Sequence, residues 1–209
     1  GMPAALPLPT ADNGKFSPDG KSIAYQKLAP WETEWRNYRG GQNNPIRIID
    51  LQTLEVEKLP WEDSNDKQPV WVGNKIYFLS DRDGTMNVYR YSLETEQVNK
   101  LTDHEAFDVR SLTAGPGLLA YEQGGRIPLL DPATGAVLQT RQISSLAAET
   151  GEGDYHPGLR YDMVPHNPGA LSDVLVNHDS HLYLRHIRLD PENLTHDFER
   201  ETGKDELAE

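Results

Sequence analysis

Six of the seven histidines fall between His156 and His196, and His178, Asp179, His181 and His186 crowd one short stretch. Imidazole and carboxylate together can ligate zinc and similar ions. An odd step along a strand puts His178 and His181 on opposite faces, whereas a turn over Asn177–Ser180 brings them together. A set of solvated surface histidines explains the same residues, and both readings stand at this point. Ser80-Asp81-Arg82-Asp83-Gly84 sets two carboxylates in one turn, as a calcium loop would. Arg82 between them points instead to a solvated hairpin turn. Gly14 followed by Gly20-Lys21-Ser22 misses a phosphate loop by one residue, with Pro18 inside it. Its strand-turn-strand context also offers no helix terminus to hold phosphate. No Gly-x-Ser-x-Gly occurs, so there is no nucleophile elbow. A serine triad would have to be assembled by the fold. The chemistry-capable residues thus imply no cofactor and no catalytic motif.

The elements that must position them repeat. Ile46–Leu51 runs into Asp50-Leu51-Gln52-Thr53, Asn87–Leu93 into Ser92-Leu93-Glu94-Thr95, and Arg126–Leu130 into Asp131-Pro132-Ala133-Thr134. These corners begin 42 and then 39 residues apart. A strand-built period near 40 residues is the signature of a β-propeller blade. The fold class is therefore all-β, a partial propeller of three clear four-stranded blades plus a degenerate fourth.

The second blade is the cleanest. Pro69–Val72, Lys75–Leu79, Asn87–Leu93 and Gln97–Thr102 read as strands, joined by Gly73-Asn74, Ser80–Gly84 and the Ser92 corner. The third repeats it through Val109–Leu112, Leu118–Tyr121, Arg126–Leu130 and Val137–Ile143. The first begins at Phe16 and turns at Pro18-Asp19-Gly20, with proline presetting the turn and glycine completing it. A long insertion over residues 29–45 interrupts it and holds Trp31, Trp35, Arg36, Tyr38 and Arg39. Long loops in compact folds are often functional, and aromatic and arginine side chains favour interfaces. These five residues are therefore the candidate partner-binding set; the alternative is that the tryptophans fill a gap between blades. The pattern degrades after about residue 144. Strand material returns at Ser172–Val176 and His181–Leu189, ending in Asp190-Pro191-Glu192-Asn193, 59 residues beyond the Asp131 corner. Residues 1–143 are read as propeller blades. Residues 144–209 are read as a degenerate blade or capping segment with a charged tail that is frayed or disordered.

Composition narrows the partners. The net charge of −13 repels nucleic-acid phosphates and anionic headgroups, so neither nucleic acid nor a membrane is expected. No apolar run approaches the ~18 residues of a spanning helix. No signal peptide is visible, and Gly1-Met2 reads as a tag remnant. With no cysteine there are no disulfides or thiolate sites, which suits the cytosol or a bacterial periplasm equally.

Phe16-Ser17-Pro18-Asp19-Gly20-Lys21 resembles the FSPDGK signature of WD-like repeats in TolB-like proteins and tricorn-type proteases. Glu34–Gly41 followed by Ile46–Asp50 is similar to the first propeller of tricorn-type serine peptidases, where W-x-x-Y-R-G-G precedes a strand ending in D-L. Pro69–Gly84 fits the same family's P-x-W-x-G-x-x-I-Y-F-x-S-D-R-x-G pattern. The resemblance spans roughly residues 14–142. The carboxyl third departs from it, and Leu171–Val176 with His181–His186 looks weakly like quinoprotein-type strands.

The resemblance implies a non-catalytic propeller that guides peptide or protein segments toward a separate peptidase domain. On that reading the chain is an amino-terminal fragment of a tricorn-type serine peptidase or a stand-alone relative. A TolB-like interaction scaffold is the alternative. So is a metal-dependent propeller enzyme using His178, Asp179, His181 and His186. Three or four blades leave an open fan, so self-association through blade edges is a further expectation.

Overall fold

The computed structural model describes residues 5–8, 10–29, 40–41, 43–142, 175–178, 181–184 and 187–189. Every regular element among them is a strand. The first sheet runs β1 (Asp12–Phe16), β2 (Ser22–Gln26), β3 (Ile46–Asp50), β4 (Val56–Lys58). The second runs β5 (Asp66–Val72), β6 (Lys75–Ser80), β7 (Asn87–Ser92), β8 (Gln97–Lys100). The third runs β9 (Val109–Gly115), β10 (Leu118–Gln123), β11 (Arg126–Leu130), β12 (Val137–Gln142). A three-stranded sheet follows: β13 (Leu175–His178), β14 (His181–Leu184), β15 (Ile187–Leu189). All pairings are antiparallel and in chain order, the up-and-down pattern of propeller blades. The inner strands stand side by side, β1 against β5, β5 against β9, and β9 against β13. Gly115 makes room for the last contact: a Cβ there would overlap the Asn177 amide.

The predicted corners form, and their side chains explain them. Asp50 Oδ1 accepts from the N–H of Gln52 and Thr53, both at 2.8 Å. Asp131 Oδ1 accepts from Ala133 at 2.7 Å and Thr134 at 2.9 Å. Ser92 Oγ reaches only the Thr95 N–H, at 3.4 Å. Each corner then closes with a backbone bond from the fifth residue to the first: Leu54 to Asp50, Glu96 to Ser92, Gly135 to Asp131. That fifth residue is left-handed each time, with φ of 63°, 57° and 77°. Only Gly135 occupies this conformation without steric cost.

A second device recurs without a sequence signature. The inner strands β1, β5 and β9 each carry a one-residue bulge, between Asp12 and Lys15, Lys67 and Val70, and Val109 and Leu112. Bulges re-aim backbone groups. Here they join blades: the Gln68 N–H donates to Gln26 Oε1 at 3.1 Å, and the Leu112 N–H donates to Gln68 Oε1 at 3.2 Å.

The second blade is buried on both faces. Ile76, Phe78, Tyr89 and Tyr91 pack on Ala24, Ile46 and Leu59 of the first blade. Tyr77, Leu79 and Val88 pack on Val109, Leu112, Leu119, Tyr121 and Leu130 of the third. Strand alternation sends successive residues to opposite seams. Each large side chain so buried contributes about 1.5–3 kcal/mol of transfer free energy. The third blade also grips the second through its corner, where Tyr77 donates its hydroxyl to Pro132 O at 2.8 Å and Arg90 donates to Ala133 O at 2.7 Å.

Candidate functional site

Because strands alternate in direction, each blade places its connections at two ends. The inner hairpin turns and the Asp/Ser-x-x-Thr corners share one end. The other end gathers the described flanks of the segment between β2 and β3 (27–29 and 43–45), the blade-to-blade loops 59–65 and 101–108, the 81–86 turn and Gly124-Gly125. The insertion is rooted there at both sides. Gln26 Nε2 donates to Leu28 O at 3.0 Å and to Asp12 Oδ2 at 2.8 Å. Asn43 Nδ2 donates to Asp63 Oδ1 at 2.8 Å, and the Asp66 N–H donates to Asn44 O at 2.9 Å.

The base of this end is a buried ionic node. Asp66 Oδ1 accepts from Ser64 Oγ at 2.8 Å and Ser80 Oγ at 2.6 Å, and its Oδ2 lies 3.2 Å from the Arg82 guanidinium. The side chains of Asp66 and Arg82 are 0% and 6% exposed. Arg82 also lies over Tyr89 and Phe78, 4.9 and 5.6 Å from the ring centroids. Burial pushes the Asp66 carboxyl up, while the Ser80 hydroxyl, Arg82 and Ser64 pull it back. Ser80-Asp81-Arg82-Asp83-Gly84 is thus not the solvated turn its composition suggested: Ser80 and Asp81 are buried too. Asp81 accepts from the Asn65 N–H at 2.8 Å and from Asn65 Nδ2 at 2.9 Å. Only Asp83 stays half exposed, held below the usual carboxylate range by the Tyr89 hydroxyl at 2.6 Å and by Lys100.

Loop 101–108 is clamped by one amide. Asn87 Oδ1 accepts from Thr102 Oγ1 and the His104 N–H, both at 2.8 Å, while its Nδ2 donates to His104 O at 3.0 Å. His104 Nε2 and the Tyr121 hydroxyl lie 2.9 Å apart. Burial lowers the His104 imidazole and raises the Tyr121 phenol to about 12. At the loop tip Phe107 is 62% exposed. Nearer the axis, burial lowers the Lys67 ammonium against the opposing pull of Asp108 and Asp81. The described surface of this end carries exposed Glu62, Asp63, Asp83, Asp103 and Glu105 and the exposed ring of Phe107. It is equipped to hold a polar or basic chain.

The candidate binding residues Trp31, Trp35, Arg36, Tyr38 and Arg39 lie outside the described residues. So do Asp179 and His186 of the candidate metal set. His178 and His181 are direct register partners across the β13–β14 turn. Among the described residues no three His, Asp or Glu converge on a metal position. Sequence reasoning missed the Asp66–Arg82 pair and the Gln26–Gln68 relay. Arginine is rarely buried, and Asp66 and Arg82 are brought together only by the bulged β5–β6 hairpin.

The comparisons agree with this architecture. A family model described as the tricorn protease N-terminal beta propeller domain matches residues 1–136. The chain belongs to this tricorn propeller family. The tricorn protease of Thermoplasma acidophilum is 29% identical over 100 residues, covering 48% of this chain and 9% of that protein. The tricorn protease of Thermoplasma volcanium is 26% identical over 164 residues, covering 69% of this chain and 15% of that protein. A crystal structure of the tricorn protease superposes with a TM-score of 0.52 at 26% identity, covering 59% of this chain and 12% of that one. The chain thus covers only a small part of those relatives' length.

Proposed function

We propose that this tricorn-family propeller is a non-catalytic module that binds peptide or protein segments and guides them toward a peptidase domain. The observation that carries the reading is the family match over residues 1–136, which is to the propeller of a protease. The loop end supports it. There Asn43, at the root of the 29–45 insertion, is anchored to Asp63 of loop 59–65, and the same end carries exposed Phe107 and several exposed carboxylates. Trp31, Trp35, Arg36, Tyr38 and Arg39 supply the aromatic and guanidinium groups that dominate binding energy at protein surfaces.

The test is fluorescence anisotropy with labelled, reduced and carboxamidomethylated ribonuclease A, an unfolded basic polypeptide. Trp35→Ala and Arg39→Ala should each weaken binding by about tenfold while leaving the unfolding midpoint in place. Unchanged affinity in both variants removes the insertion from the binding surface. No binding by the parent chain overturns the guiding role itself.

A further inference from the structure

The outermost strands of the three four-stranded blades are not equivalent. A free sheet edge is a template for another strand unless it is short, charged or covered. β4 is three residues long and two of them are Glu57 and Lys58. β8 is four residues long and ends in Lys100, which is tied to Asp83 and Asp103. β12 is six residues long, Val137-Leu138-Gln139-Thr140-Arg141-Gln142, with no acid and no lysine. It pairs only with β11 among the described strands. Val137 and Leu138 are 54% and 60% exposed. A register shift interrupts the strand near Leu138, leaving Gln139–Gln142 regular against β11.

The backbone of β12 shows where an added strand would bond. Thr140 is opposite Pro128. Antiparallel partners exchange both hydrogen bonds or neither, and proline has no N–H to exchange. The Pro128–Thr140 pair is therefore the non-bonded kind, which turns the Thr140 N–H and C=O outward. The local charge departs from that of the whole chain. Arg141 lies on the strand, and Arg126 is one strand inward, opposite Gln142. Both are exposed, in a protein of net charge −13.

We propose that the β12 edge is a docking site for an extended peptide carrying acidic side chains, added as a fifth strand to the third blade. Main-chain bonds at Thr140 supply affinity, exposed Val137 and Leu138 give apolar contact, and Arg141 selects a carboxylate beside it. This deepens the peptide-binding reading, on which it rests, by assigning one peptide class to a second surface.

The probe is a fluorescein-labelled decapeptide of alternating Val and Glu, titrated into the whole chain. Thr140→Pro and Leu138→Glu should each weaken it by about tenfold, as gatekeeper residues do at natural edges. Arg141→Glu should do the same, and a Val/Lys decapeptide should bind about tenfold more weakly than the Val/Glu peptide. Trp35→Ala should leave this binding intact, which separates the edge from the insertion. Because Thr140→Pro can disturb the blade, Arg141→Glu and Leu138→Glu at exposed positions carry the decision. Equal affinity of those two variants and the parent, or equal affinity for both peptides, overturns the proposal. So does a concentration-dependent dimer that Leu138→Glu abolishes while the Val/Glu peptide fails to bind, since the edge would then belong to a second copy.

Discussion

The two ends of the blades are built on opposite principles. At the corner end, three turns of different sequence reach one geometry: an Asp or Ser acceptor, a Thr three residues on, and a left-handed fifth residue. At the loop end no two connections are alike. One blade has the long insertion, the next a six-residue turn over a buried ion pair, and the third only Gly124-Gly125. Repetition at one end defines the blades, and variation at the other gives the surface its individuality, as expected where a rigid scaffold carries function on loops.

The largest way to break this contrast is at the ionic node. Arg82→Ala leaves the Asp66 carboxylate buried without its counter-charge and should destabilise the chain by about 3–5 kcal/mol. Urea unfolding measures it. A loss below about 1 kcal/mol would place the node in solvent. Next is Gly135→Ala at the third corner. The left-handed backbone costs an L-residue about 1–2 kcal/mol, as Leu54 and Glu96 already show by tolerating it. Only at Gly135, however, would the new Cβ also meet Leu101 O at 2.9 Å. Gly135→Ala should therefore lower the unfolding midpoint more than Leu54→Gly raises it.

His104 gives the loop end a pH dependence near neutrality, whereas Asp50 and Asp131 of the corners, held low by their backbone N–H partners, respond only in acid. Its imidazole is lowered by burial, despite the opposing pull of Asp103, with Lys100 adding to the effect. The unfolded chain therefore takes up the proton first, near pH 6.5. The stabilising contribution is complete above that pH and is lost as pH falls from there through the lowered folded value. Unfolding free energies from pH 8 to 5 should fall more steeply for the parent than for His104→Phe. Parallel slopes would mean that His104 titrates as in solvent. The smallest effect sharpens the corner end. Ser92→Asp, facing Lys75 across the strand pair, should improve the 3.4 Å contact to Thr95 and add a few tenths of a kcal/mol, on the scale of acceptor swaps at helix caps.

The corner end was legible in the sequence because its chemistry is local. Asp50, Ser92 and Asp131 act on residues two or three positions away. β4 escaped notice because Val56-Glu57-Lys58 is too short and polar to show a period. The inner-strand bulges escaped it because Asn13 and Gln68 adopt φ of 49° and 52° without a glycine to mark them. Arg82 was misread as solvated because its burial depends on Asp66, which comes alongside only when β5 pairs with β6. The binding residues proposed from composition, Trp31 to Arg39, lie outside the described residues, and their role rests on the experiments above.

The central claim is that partners meet the loop end and not the corner end. Hydrogen–deuterium exchange with and without saturating carboxamidomethylated ribonuclease A, the unfolded basic polypeptide used above, tests it directly. The account predicts added protection in residues 27–45 and 101–108, with none at 51–55, 93–96 and 131–136. Protection confined to the three corners would contradict it.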